Sequence, residues 1–233
     1  PKAHELDKKE QFSEELTRKM GQLGLFGIVL PSQYGGHDMD YLAYAIACEE
    51  IARVDGSQAA TITAHNSLGI GPLYYFGNEE QRKKYLPQLC TGDKLWAFGL
   101  TEPNAGSDSR GSKTVAKKVD GGWKINGSKI FITNANKMNA GITVQAITGS
   151  KGEGKPELSC FIVEAGTKGL TAKSMHGKLM WRASDTCEIY FEDVFVPDAN
   201  MLGKQGDGSK QMLATLDRGK IGIAAMGVGC AQG

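Results

Sequence analysis

The periodicity of apolar residues changes partway along the chain, and this change constrains the fold more than any other feature. Between Phe12 and Leu23, apolar side chains recur every three to four residues, which is the spacing of one helix face. Further along, short β-rich runs are separated by turn signals such as Asp120–Gly122 and Asn126–Gly127. Helical spacing returns at Lys210. The chain is therefore predicted to fold as helices, then strands, then another helix.

These segments predict an α+β protein. We expect residues 1–91 to form an N-terminal α-helical domain, residues 92–205 a β domain, and residues 206–233 the first helix of a truncated C-terminal helical domain. Several short strands at this spacing are typical of a sandwich or a barrel. A βαβ dinucleotide fold is disfavoured because no long helix separates the strands. We expect both ends to be cut, since the chain has no initial Met and its last residues are helical in pattern.

Single elements can also be predicted. Helices are expected over Tyr41–Val54, from Ser57 onward, and from an Asn78 cap to near Pro87. The predicted strands include Trp96–Thr101, Ser112–Val119, Trp123–Thr133, Gly141–Thr148, Ser159–Val163 and Cys187–Phe191.

Composition argues against several classes of function. The 27 Lys and Arg residues balance the 26 Asp and Glu residues to a net charge of +1, which gives no electrostatic case for nucleic acid or an anionic membrane. The longest apolar stretch, Ile221–Ala231, is too short to span a bilayer. The five cysteines form no CxxC pair and the four histidines lack metal-ligand spacing. We therefore expect no metal site, no disulfide framework and a reducing compartment.

The densest group of chemically useful residues lies between Phe98 and Asp108. A strand ends at Thr101, and the small residues Ala105–Ser107 follow. Main-chain N–H groups of such residues can form a concave site for a phosphate or pyrophosphate. A plain turn in which Gly106 only provides a positive φ explains the same residues. The pattern alone leaves both interpretations open.

Several stretches resemble one known family. Thr101–Asp108 resembles the TEP-x-A-G-S-D signature of the acyl-CoA dehydrogenase family of flavoproteins. Further segments resemble other parts of that family in the same order: Leu30–Gly36, Phe76–Leu86, Asn126–Asn134, Trp181–Pro197 and Leu216–Gly222. Nearly the whole chain is covered, and short-chain, butyryl-CoA-type members are the most similar. The resemblance implies that the β domain is a barrel that binds FAD between two helical domains.

The resemblance also implies which residues contact FAD: Phe98, Leu100, Thr101, Gly106, Ser107, Phe131, Ile132 and Thr133. By analogy with the family, Thr101 bonds the pyrimidine edge of the flavin. Gly106 and Ser107 hold the pyrophosphate. Phe131 lies against the ring and Thr133 lies near N5.

Acyl-CoA contacts are implied at a second group of residues. Ser107 is expected near the thioester arm, and Asp217, Arg218, Gly219 and Lys220 at the nucleotide end of coenzyme A. Lys220 departs from the arginine that is usual in the family, so a point charge replaces a bidentate fork. The helical stretch before this region, residues 62–73, is a candidate lining for the acyl tunnel.

No catalytic base can be named. In most members the base is a glutamate in the last helical domain, and in others it lies at the position of Gly219, which has no side chain. Glu102 is not expected to replace it, because its family counterpart is structural and a pyrophosphate would repel a carboxylate. Arg182 is expected to pair with Glu192 or another carboxylate of the barrel.

The resemblance therefore predicts an FAD-dependent acyl-CoA dehydrogenase acting on a short-chain acyl-CoA. It implies an electron-transfer flavoprotein as acceptor and a homotetramer in the complete protein. The cytoplasm is favoured over the mitochondrial matrix. Alternatives are an enoyl-CoA reductase, a flavin oxidase or monooxygenase on the same scaffold, and a non-catalytic assembly protein. These residues alone are expected to be inactive and to expose apolar side chains of the last helix: Ile221, Ile223, Met226 and Val228.

Overall fold

Six helices form the N-terminal part of the computed structural model, which describes residues 2–233 except the side chain of Arg110. The helices are α1 (Lys2–Lys9), α2 (Glu14–Gln22), α3 (Tyr41–Ala52), α4 (Gly56–Thr63), α5 (Ile70–Phe76) and α6 (Glu79–Cys90). A π-helical segment, Ala64–Gly69, joins α4 to α5. Four helices begin at residues whose side chains accept hydrogen bonds from free backbone N–H groups: Ser13, Asp40, Asp55 and Asn78.

The predicted helix boundaries need one correction. The Asn78 cap is confirmed, and its capping box with Gln81 is complete. The helix does not end near Pro87, however, but continues to Cys90. Leu86 and Leu89 on either side of Pro87 are fully buried, so packing of this last turn outweighs the backbone hydrogen bond that proline cannot donate.

Eight strands follow and form one mixed sheet. They are β1 (Leu95–Gly99), β2 (Val115–Val119), β3 (Gly122–Thr133), β4 (Asn139–Ser150), β5 (Pro156–Glu164), β6 (Leu170–Ser174), β7 (Thr186–Pro197) and β8 (Met201–Leu202). The strand order is β6-β7-β3-β2-β4-β5-β8, and β1 pairs in parallel with β4. Within residues 2–233 no backbone pairing joins β6 to β8, so the sheet is open between these two edge strands.

The two predicted turns behave differently. Asp120–Gly122 joins β2 to β3 as expected, whereas Asn126 and Gly127 lie inside β3. The pairing of β3 with β7 shifts register between Ile125 and Gly127. Asn126 bonds Asp193 across this bulge at 2.9 and 3.0 Å. The Asn-Gly pair therefore makes a β-bulge rather than a hairpin turn.

The last helix, α7 (Gly208–Gln232), packs against α3. Its Gly222 and Gly229 allow this close approach, because a Cβ at either position would collide with Tyr44 or with the Glu49 carbonyl. Of four side chains expected to be exposed, Ile221, Ile223 and Val228 are 41%, 51% and 48% exposed. Met226 is buried among alanines of α3 and α4, contrary to expectation. Within the described residues, no helix has the length and apolar character needed to cross a membrane.

Candidate cofactor and substrate site

A cavity of about 130 Å³ lies where the helices meet the sheet. Six of the eight predicted cofactor contacts line it: Phe98, Leu100, Thr101, Phe131, Ile132 and Thr133. The remaining lining residues, which the sequence did not single out for this role, are Ala64, Leu68, Trp96 and Leu216. The cavity therefore has an apolar wall with two threonines from different strand ends.

The ends of β1 and β3 bring these two threonines to the same cavity. The Ile130 N–H donates to the Thr101 carbonyl at 2.9 Å, which ties the two strand ends together. The pairing of β3 with β7 shifts again between Lys129 and Ile132, and Phe131 there has a φ of +60°. This left-handed backbone is rare for an aromatic residue and is typical of functional sites. Phe131 is 62% exposed and lines the cavity.

A second cavity, of about 530 Å³, adjoins the first. The two share Ala64, Leu68, Thr133 and Leu216 as lining residues. The π-helical segment forms one side of the second cavity, and Gly219, Lys220, Ile223 and Ala224 of α7 line the other. Insertions of π-helix are frequent at functional sites. The residues of the 62–73 stretch that line this cavity are Thr63, Ala64, Ser67 and Leu68.

The loop after β1 carries the other two predicted cofactor contacts. Gly106 and Ser107 do not line either cavity; both are exposed. A Cβ at Gly106 would have no atom within 4 Å, and its φ is not positive. The interpretation that Gly106 serves only to provide a positive φ is therefore wrong. The loop is closed upstream by reciprocal backbone bonds between Glu102 and Ala105, at 2.9 and 3.1 Å.

Glu102 is buried and fully engaged in structural contacts. Its Oε1 lies 2.7 Å from the Lys129 Nζ, and its side chain also accepts bonds from Ser112 Oγ and from the Lys113 and Thr114 N–H groups. Burial raises the pKa of Glu102, but attraction to Lys129 and these hydrogen bonds outweigh it and hold the pKa at about 2. Such a carboxylate stays ionised and bonded, which fits a structural role and not that of a base.

The predicted coenzyme A contacts separate into two groups. Gly219 and Lys220 line the larger cavity. Asp217 is exposed and pairs with Lys220 at 2.6 Å. Arg218 lies over the Tyr75 ring at 4.0 Å and donates to the Ala214 carbonyl. The structure thus brings only two of these four residues to the cavity.

His65 is a buried residue next to the site that the sequence pattern did not reveal. Its Nδ1 accepts the Trp96 N–H at 3.1 Å, and its Nε2 lies 2.9 Å from the Leu89 carbonyl, so the ring is neutral with the proton on Nε2. Burial lowers the pKa of His65 to about 4. The imidazole therefore fastens β1 to the end of α6.

Two other expectations concern charged groups. Arg182 pairs with Glu10 at 2.7 Å and with Asp7, not with Glu192, because α1 packs against the loop before β7. Among the described residues, no group of His, Cys, Asp and Glu side chains is arranged to hold a metal ion.

Comparison with known proteins identifies the family. The family descriptions "Acyl-CoA dehydrogenase, N-terminal domain" and "Acyl-CoA dehydrogenase, middle domain" match residues 1–93 and 97–194. The short-chain specific acyl-CoA dehydrogenase of Clostridium acetobutylicum is 45% identical over 233 residues, which cover 100% of this chain and 61% of that protein. The chain thus spans less than two thirds of this relative.

Solved structures agree with the sequence matches. Butyryl-CoA dehydrogenase from Megasphaera elsdenii superimposes with a TM-score of 0.91 at 43% identity, over 97% of this chain and 59% of that chain. An acyl-CoA dehydrogenase complexed with FAD from Bacillus anthracis gives a TM-score of 0.90 at 34% identity, over 99% of this chain and 40% of that one. The motifs, the fold and these relatives together show that the chain belongs to the acyl-CoA dehydrogenase family.

Proposed function

We propose that the full-length protein is an FAD-dependent dehydrogenase that converts a short-chain acyl-CoA to its enoyl-CoA. One observation carries the proposal. The apolar cavity that holds Thr101 and Thr133 opens beside a larger apolar cavity, and Thr133 belongs to both. A flat redox cofactor in the first cavity would therefore lie next to an acyl chain in the second.

The residues present fit FAD. Phe98, Leu100 and Ile132 offer an apolar wall for a flavin ring, and the hydroxyls of Thr101 and Thr133 offer polar contacts at its edge. The exposed Gly106 and Ser107 leave room for a pyrophosphate, since nothing lies within 4 Å of a Cβ at Gly106. Bound FAD would accept the hydride from the acyl chain. The Bacillus anthracis relative is described as complexed with FAD.

The substrate is proposed to bind in the larger cavity. Its volume of about 530 Å³ and apolar lining suit a short acyl chain, as the names of the Clostridium and Megasphaera proteins also suggest. Lys220 lines this cavity and pairs with the exposed Asp217, and its exposed ammonium is proposed to contact the nucleotide end of coenzyme A. Among its described lining residues there is no carboxylate, so the α-proton is proposed to leave to a base in the part of the protein that the longer relatives have in addition.

Acceptor, assembly and compartment follow from the family resemblance alone. We propose an electron-transfer flavoprotein as electron acceptor, a homotetramer as the assembly and the cytoplasm as the compartment. We propose that the strands of the sheet form a barrel around its apolar core, in which Ile125, Val144 and Phe161 are buried.

The test uses the full-length protein with and without its FAD site. Anaerobic addition of butyryl-CoA should bleach the flavin absorbance of the wild type, and reoxidation by an electron-transfer flavoprotein should be faster than by oxygen. Thr101→Val should weaken bleaching, whereas the control Thr171→Val, at an exposed site on β6, should not. Fast reoxidation by oxygen would favour an oxidase, and a protein without flavin would favour the assembly role.

A further inference from the structure

The buried ion pair of Glu102 and Lys129 lies at the base of the loop that carries Gly106 and Ser107. The Lys129 side chain is fully buried and that of Glu102 is 6% exposed. All of the ammonium contacts are internal: the Lys129 Nζ lies 2.7 Å from Glu102 Oε1, 3.2 Å from the Leu100 carbonyl and 3.4 Å from Ser112 Oγ. The pair is therefore isolated from solvent.

The contacts of this pair join three segments. Glu102 begins the loop, and the N–H groups of Lys113 and Thr114 at its far end donate to the Glu102 carboxylate at 2.6 and 3.2 Å. Lys129 lies on β3, two residues before Phe131. The pair thus closes the loop and joins it to the strand that ends at Thr133.

In the sequence, Thr101 lies between two residues that hydrogen-bond to Lys129. The ammonium bonds the Leu100 carbonyl on one side of Thr101 and the Glu102 carboxylate on the other. The Ile130 N–H, next to Lys129, donates to the Thr101 carbonyl at 2.9 Å. The position of the Thr101 hydroxyl in the cavity therefore depends on an ion pair that does not line the cavity itself.

A stabilising role is a poor explanation for such a pair. The free-energy cost of desolvating two charges offsets most of the stabilisation that their attraction contributes. Well-packed apolar residues can therefore often replace a buried ion pair without a loss of stability. Burial in fact lowers the pKa of Lys129, although Glu102 opposes this effect. The ion pair fixes the positions of the groups that it bonds, whereas apolar side chains in its place would not.

We propose that Glu102 and Lys129 are positioning residues, which hold Thr101 at the cofactor cavity and present the 105–107 segment to the phosphates of the cofactor. The inference rests on the proposed FAD site and adds to it the two side chains that shape it. Neither residue is proposed to touch the reacting atoms.

The experiment compares two neutral double variants of the full-length protein. Glu102→Gln with Lys129→Met removes both charges, so that neither is left unpaired. Lys84→Met with Glu164→Gln makes the same changes at an exposed pair, 2.6 Å apart, that lines neither cavity. The measurements are the FAD dissociation constant, the flavin reduction potential and amide hydrogen exchange of residues 103–111 in FAD-free protein.

We expect the buried double variant to bind FAD about tenfold more weakly or worse, with a shifted potential and faster exchange in the loop. The exposed double variant should stay within about twofold of the wild type. A lower unfolding midpoint with unchanged potential, affinity and loop exchange would mean that the pair is only structural, and would overturn the inference.

Two further outcomes remain decisive. If the buried double variant does not fold, Ser112→Ala takes its place, since it removes one bond to Glu102 without burying a new charge. A rise of about threefold in the dissociation constant then supports the inference, and no change overturns it. A wild type that binds no FAD would instead contradict the proposed function. Hydrogen exchange of the loop would still show whether the ion pair holds the two ends of the loop together.

Discussion

The two ends of the Thr101–Asp108 motif differ in how firmly the fold holds them. At the first end, Thr101 lies between groups bonded to the buried Lys129. At the other end, Gly106 and Ser107 are exposed. One motif thus contains a rigid part, built into the sheet, and a part whose polar groups face outward.

This difference separates stability from ligand binding. Residues of the rigid end stabilise the fold whether or not a cofactor is bound. Residues of the exposed tip, Gly106 and Ser107, contribute only to binding, when a ligand contacts them. Substitutions at the rigid end that leave one charge of the buried pair unpaired should therefore lower the free energy of unfolding as well as the cofactor affinity. Substitutions at the tip should change cofactor affinity alone.

The largest effect is expected from removing one charge of the buried pair. Lys129→Met leaves Glu102 ionised and unpaired in the interior, which should cost about 3–5 kcal/mol of unfolding free energy. Urea denaturation measures this loss. As a control, Lys84→Met removes a charge from the exposed pair with Glu164 and should cost less than about 1 kcal/mol. Equal losses would contradict the rigid-end assignment.

Acid should weaken the attachment of β1, the strand that leads to the rigid end, in a defined pH window. Burial lowers the pKa of His65 from 6.5 to about 4, so the unfolded chain binds a proton that the folded one does not. Stability is fully present above pH 6.5 and declines as the pH falls to about 4, by about 3 kcal/mol in all. Glu102, with its pKa lowered from 4.5 to about 2, adds a loss only at lower pH.

Unfolding measured between pH 7 and 4 in the wild type and in His65→Gln checks this prediction. The variant loses the titrating ring, so its unfolding free energy should depend less on pH in that window. The same slope in both proteins would exclude His65 as the source.

A smaller effect is expected at the tip. In the full-length protein, Ser107→Ala should weaken FAD retention by about 1–2 kcal/mol, as for a hydrogen bond to a charged group. Unfolding of the FAD-free protein should be unchanged because Ser107 is exposed. Fluorescence of released flavin and urea denaturation measure the two quantities. A loss of stability without a loss of affinity would reverse the roles of the two ends.

The smallest effect on retention is expected from Thr133→Val, at the end of β3. The strand holds this residue in place, so FAD affinity should change by less than about 1 kcal/mol. The reduction potential of the flavin should shift, since the proposed bond is near N5. Potentiometric titration beside Thr171→Val, on β6, separates this effect from a general loss of threonine.

Much of this arrangement could be predicted from local pattern. Helix caps such as Asn78 and alternation along Trp123–Thr133 are encoded in neighbouring residues, and so the order of helices, strands and a last helix was predicted correctly. Two strands were missed: β6 (Leu170–Ser174), which is short and half polar, and β8, which has only two residues. Their pairing partners are distant in sequence, and no local pattern records them.

The sequence predicted only those parts of the site that are built from residues of the family motifs. Thr101 and Thr133 were matched to one family and share one cavity. The roles of His65 and of Leu216 depend on contacts between segments far apart in the chain, and a lone histidine or leucine gives no local signal of them. The same holds for Arg182, whose partner Glu10 directly follows α1 and does not belong to the sheet.

An experimental structure of the full-length protein with FAD would show directly where the cofactor binds. We expect the flavin ring to fill the cavity lined by Phe98 and Ile132, with ring atoms within about 3.2 Å of the Thr101 and Thr133 hydroxyls. The phosphates should contact the Gly106–Ser107 segment. A flavin bound elsewhere, or phosphates that do not approach this segment, would contradict the proposed cofactor site.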